Sequence, residues 1–133
     1  MMKKGKRLLR KIYVFGNPLL EEDSLALKIA KKLEKGFPSL SFIHHDPNEE
    51  IKEKDLVVLD VALGIKQVTL ITNLDQFETE QKVSLHDYDV AFSLKLMKKI
   101  GLIKTVKIIA IPMNYSEKKA YEEVKEQIET ILK

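Results

Sequence analysis

The stretch Asp55 to Ala62, D-L-V-V-L-D-V-A, constrains the fold most strongly. Apolar, largely β-branched residues run through it without the polar alternation of a half-solvated strand, so both faces must be covered. A strand of this kind belongs in the interior of a mostly parallel sheet with helices packed on both sides. Asp60 sits near its end.

Upstream, Ile12 to Leu33 reads as strand, tight loop and helix. Ile12 to Phe15 is a short buried run, Gly16-Asn17-Pro18 breaks it, and an amphipathic helix is expected from about Asp23 to Lys35. Leu25, Ala26, Ile29, Ala30 and Leu33 form its apolar face, and Gly36 stops it. A second strand is expected over Leu40 to His44, followed by the turn His45-Asp46-Pro47-Asn48 and a charged linker, Glu49 to Lys54. Only Leu63 to Lys66 separate the Asp55 strand from a strand-like run over Gln67 to Thr72, too short for a parallel crossover, so those two strands are expected to run antiparallel. A polar connection spans Asn73 to Leu85. A helix from Asp89 to about Ile100 follows, with Val90, Phe92, Leu94, Leu96 and Met97 as core candidates and Gly101 as its stop. Val106 to Ile111 is a buried strand, and Ser116 caps a last helix over Glu117 to Leu132, with Ala120, Tyr121, Val124, Ile128 and Ile131 on one face. The expected fold is a three-layer α/β/α sandwich with a mixed, mostly parallel five-stranded sheet and one antiparallel strand. Residues 1–133 make one α/β domain, with 1–10 as a basic N-terminal arm.

Composition excludes several classes of function. There is no cysteine, which removes disulfides, thiolate metal sites and a cysteine nucleophile together. Any metal must be held by His, Asp or Glu. Net charge is +3 with both signs interspersed, so nucleic acid is not an expected partner. No run approaches the roughly 20 apolar residues of a membrane span, and the basic N-terminus lacks a signal-peptide apolar core; a cytoplasmic protein with no membrane partner is expected. Gly16 is the only glycine of the first loop, and no Gly-Lys-Ser/Thr or Gly-x-Ser-x-Gly occurs, which argues against nucleotide binding and a serine hydrolase.

Three separated stretches converge if the sheet is as expected. Asp23 follows the first strand, Asp60 ends the third, and Ser84-Leu85-His86-Asp87-Tyr88 precedes a helix that feeds the parallel fifth strand, so all three belong at the carboxyl edge, where open α/β sheets bind ligands. An imidazole and two carboxylates make an open divalent-metal site. The same residues also serve as ordinary helix and turn caps, and spacing alone leaves both roles open. His44 and His45 follow the second strand on opposite faces. At most one joins a shared site, and both are expected mainly as a turn and surface pair.

G-N-P-L-L-E-E-D at 16–23, V-V-L-D-V-A at 57–62 and S-L-H-D-Y at 84–88 resemble, in order and spacing, the three signature segments of the nickel-iron hydrogenase maturation endopeptidases. The resemblance implies that Asp23, Asp60 and His86 bind nickel and form the catalytic site. It also implies that the substrate is a nickel-loaded hydrogenase large-subunit precursor, which supplies the nickel and loses a short C-terminal extension. The metal would bring protease and precursor together, polarise the scissile carbonyl or activate water. Three positions differ from the family's usual pattern: Ser24 and Ala26 stand where glycines are common, Glu22 where aspartate is usual, and Ala110-Ile111-Pro112 where a glycine and an acidic or amide residue precede the proline. Two other functions are compatible with the same residues: a non-catalytic metal-binding interaction module of this fold, and another divalent-metal hydrolase.

Overall fold

The computed structural model describes residues 10–15, 21–45, 51–62, 65–72 and 94–132, with the backbone alone at 21–23. In chain order the elements are β1 (Arg10–Val14), α1 (Glu21–Gly36), β2 (Leu40–His44), β3 (Asp55–Ala62), β4 (Thr69–Ile71), a short helix α2 over 94–99, β5 (Thr105–Pro112) and α3 (Glu117–Leu132). The strands form one sheet in the order β2-β1-β3-β5-β4. β1 is parallel to β2 and β3, β3 is parallel to β5, and β4 is antiparallel to β5.

The core lies on both faces of this sheet, as the Asp55 run requires. On one face Ala26, Ile29, Ala30 and Leu33 of α1 and Ala120, Val124 and Ile128 of α3 pack over Ile12, Val14, Leu59, Val61, Ile109 and Ile111. On the other, Leu94, Ile103 and Ile51 cover Tyr13, Phe15, Leu56, Val58, Ala62, Ile108 and Ala110. Alternation along β3 is strict, so Leu59 and Val61 face α1 and α3 while Val58, Asp60 and Ala62 face α2.

Both long helices carry their apolar residues at three- and four-residue spacing, which produces the single buried stripe of each. Ser116 starts α3 as expected, its Oγ accepting the Lys119 N–H at 3.1 Å. Lys32 of α1 and Glu117 of α3 form an ion pair at 2.8 Å, and the lysine, outweighing partial burial, holds the Glu117 carboxyl below its ordinary pKa.

The expected boundaries hold for β2, β3 and α3; α1 starts at Glu21 rather than about Asp23, and β1 runs Arg10–Val14 rather than Ile12 to Phe15, so Arg10 of the expected arm is already strand. Two further details differ. β4 runs opposite to β3, but its hydrogen-bonded neighbour is β5, because β3 already has β1 and β5 on its two sides. Leu96 is 49% exposed rather than core: Leu94 and Met97, three apart, take the inward face of α2, and Leu96 points away from it. Gly101 stops α2 with a left-handed φ of 88°. Residues 73–93, including Val90, Phe92 and the start of this helix, lie outside the described residues.

Candidate functional site

Chain direction reverses across the sheet between β1 and β3. From β1 the chain passes through α1, on one face, to β2 on the outside; beyond β3 it passes through α2, on the other face, to β5. The carboxyl ends of β1 and β3 therefore flank a topological switch point, the place where open α/β sheets generally bind ligands.

Asp60 stands at this point. It is 4% exposed, one of two buried polar side chains among the described residues, the other being Ser24 at the start of α1. Its position follows from strand lengths. The paired register of β1 on β3 ends at Val14 opposite Leu59, with the Phe15 N–H on the Leu59 carbonyl at 2.9 Å, and β3 continues past it. There the Val61 N–H donates to Asp60 Oδ1 at 2.9 Å, so the carboxylate takes up an amide where the ladder toward β1 stops. Across the sheet Asp60 is level with Ala110 of β5, whose missing bulk keeps the adjacent position small.

Asp23 belongs to the first turn of α1, which begins beside the carboxyl end of β1. Its side chain, His86 and the rest of the Ser84–Tyr88 segment lie outside the described residues, and among those described no three His, Cys, Asp or Glu gather into a metal-holding group. Ser24 and Ala26, the small residues in place of the usual glycines, are both buried, and Ala26 is fully so. Ala26 packs against the sheet face formed by Ile12, Val14, Leu59 and Val61.

His45 is the residue whose placement the sequence conveyed least. His44 is exposed, while His45 turns onto the face shared with Asp60. Its N–H bonds to the Val14 carbonyl at 2.9 Å, and its ring stacks on Phe15 at 4.5 Å and 11° and meets Tyr13 edge-on at 6.4 Å. Tyr13 is itself anchored, its hydroxyl donating to Glu53 Oε1 at 2.5 Å, with Lys11 3.3 Å from the other oxygen. Burial pushes the Glu53 carboxyl up, but the bonds from Tyr13 and Lys11 outweigh this and hold it below its ordinary pKa. The available signal was parity: residues 43 and 45 share a face, and Ile43 packs on the Tyr13 and Phe15 side.

Glu123 of α3 supports the other end of the edge. Its Oε1 accepts the Val68 N–H at 3.1 Å and the Tyr115 hydroxyl at 2.8 Å, tying the entry of β4 to the turn after β5. Burial and this carboxylate together raise the Tyr115 pKa.

The described residues thus form a mixed α/β sheet with a buried carboxylate at its switch point. Among solved structures, the fold is that of the hydrogenase maturation endopeptidases. It is similar to the hydrogenase maturating endopeptidase HybD from E. coli at 14% identity and a TM-score of 0.63, over 92% of this chain and 93% of that one. A hydrogenase 3 maturation protease matches at 17% identity and TM-score 0.61, over 89% and 88% of the two chains. The solution structure of an endopeptidase from Escherichia coli matches at 16% and 0.65, over 92% and 91%. No family model and no curated protein matches the sequence.

Proposed function

We propose that the chain is a cytoplasmic endopeptidase of hydrogenase maturation, which removes the C-terminal extension of a nickel-loaded large-subunit precursor. One observation carries this reading: a buried carboxylate, Asp60, placed by the end of the β1 ladder at the switch point of a fold shared with proteins named as hydrogenase maturation endopeptidases. In support, all three signature segments occur in order in the sequence, and α1 carries Asp23 in its first turn at the same edge.

The donor set suits a borderline divalent ion. Two carboxylates and an imidazole, Asp23, Asp60 and His86, would hold nickel without thiolates and with positions open to the substrate. The nickel is the precursor's cargo, and when bound it supplies a Lewis acid at the scissile carbonyl or at water. Asp60 contributes a carboxylate whose Oδ1 already accepts the Val61 N–H. His45 is stacked on Phe15 at the same edge.

The test is cleavage of a nickel-loaded precursor by the wild type and by Asp23→Ala, Asp60→Asn and His86→Ala. Shortening of the precursor by the wild type and its loss in every variant is the expected result. A folded wild type that binds nickel through these residues but leaves cognate precursors intact would replace the peptidase by a metal-binding module.

A further inference from the structure

The opposite edge of the sheet carries a second surface that peptidase chemistry does not use. α2 descends to this amino edge and ends in a tight turn: the Ile100 N–H bonds to the Leu96 carbonyl at 3.1 Å, Gly101 to Lys98 at 3.2 Å, and Leu102 to Met97 at 2.9 Å. This is the paired-bond helix stop that a left-handed glycine permits. In such stops the residue after the glycine usually folds back onto apolar neighbours. Here Leu94 and Ile103 fill the core, and Leu96, Ile100 and Leu102 remain 49%, 62% and 48% exposed.

Charge surrounds these three side chains. Lys98, Lys99 and Lys104 are exposed on the same turn, Lys54 reaches the Gly101 carbonyl with its Nζ at 3.4 Å, and no Asp or Glu occurs between Leu94 and Ser116. The sheet register sets Asp55 opposite Thr105, and β1 begins with Arg10 at this same edge, following Lys3, Lys4, Lys6 and Arg7 in sequence. Two acids lie at this edge: Glu53, paired with Lys11 and bonded by Tyr13, and the exposed Asp55, which accepts the Thr105 hydroxyl at 2.7 Å.

Apolar tips among lysines that outnumber the nearby acids select the occupant. A second copy of the chain would bring lysine against lysine. Protein interfaces favour arginine and aromatic residues and are depleted in lysine, whereas 94–107 holds lysines and aliphatic residues with neither arginine nor an aromatic. Aliphatic side chains flanked by lysine suit the boundary of an anionic bilayer.

We propose that this amino edge docks on an anionic lipid surface, with Leu96, Ile100 and Leu102 entering the headgroup layer and Lys54, Lys98, Lys99 and Lys104 facing the lipid anions. The docked orientation turns the carboxyl edge, with Asp60, away from the membrane. This departs from the sequence expectation of no membrane contact and is independent of the peptidase reading.

The experiment is co-sedimentation of the full chain with phosphatidylcholine vesicles, with and without phosphatidylserine, at low and high salt. The wild type should sediment only with the anionic vesicles and be released by salt. Replacing Lys98, Lys99 and Lys104 by Gln should lower partitioning by about a hundredfold, at roughly fivefold per lysine. Ile100→Ser with Leu102→Ser should also release the chain, with an unchanged melting curve confirming that these exposed changes leave the fold intact. Wild type that stays in the supernatant, or variants that sediment as the wild type does, would overturn the proposal. If the same substitutions weaken capture of a hydrogenase precursor while the wild type ignores vesicles, the surface is a protein interface and the lipid assignment falls.

Discussion

Replacing Asp60 by Asn and by Ala separates the two roles of this carboxylate. Asparagine keeps the shape and an acceptor oxygen for the Val61 N–H, so the 2.9 Å bond survives while the charge is lost. Both variants remove the charge, so they differ in the acceptor and the shape, which Asn keeps; Asp60→Asn is expected to change stability by less than about 1 kcal/mol. Alanine removes the acceptor and leaves a buried amide unpaired, which costs about 1–3 kcal/mol. The variants should thus differ by a few kcal/mol in urea unfolding at constant m-value, with melting temperatures some 5–15 °C apart in a chain of 133 residues. Both should fail to cleave a precursor. An Asn variant that unfolds as easily as the Ala variant would show that the charge itself holds the structure together, and an Asn variant that still cleaves would remove Asp60 from the chemistry.

Other perturbations act on the frame. Ile109→Ala, at a fully buried position on β5 between β3 and β4, should cost about 2–5 kcal/mol in chemical denaturation. Gly101→Ala meets no atom within 4 Å, so its expected cost of about 1–2 kcal/mol is purely that of a left-handed backbone at φ 88°; a neutral result would mean the turn relaxes. Because the Glu53 pKa is lowered in the folded state, its contribution is complete above the unfolded carboxylate value and is lost as pH falls through the folded one. Glu53→Gln should therefore flatten the acid side of the stability profile and leave its slope near neutral pH unchanged.

What the sequence made legible follows from what each pattern encodes. The β-branched run of β3 and the three-and-four spacing of α3 set their own limits, since burial on both faces or on one stripe is a local property of the residues. The partner of β4 was not legible: a short link dictates that the strand reverses but not that β5 lies between it and β3. Leu96 misled because hydrophobicity alone does not say which side of a short helix meets the sheet. At the site, Asp60 was visible near the end of an apolar strand, whereas the bond to Val61 depends on β1 ending early. Glu123 gave no local signal, since its partners, Val68 and Tyr115, come from other elements.

The order of the strands has a further consequence, for how the chain reaches this structure. β1 cannot pair with β3 until the whole of α1 and β2 has been made, Tyr13 meeting Val58, and β3 waits again for β5, Leu56 meeting Val106. Parallel pairings between such distant residues close large loops before any contact rewards them, which slows the search. The edge that holds Asp60 exists only once β1, β3 and β5 lie side by side, so a chain still emerging from the ribosome, or one unfolded locally at β5, has no site to offer. Any activity of this edge is thereby confined to the finished molecule by the topology itself.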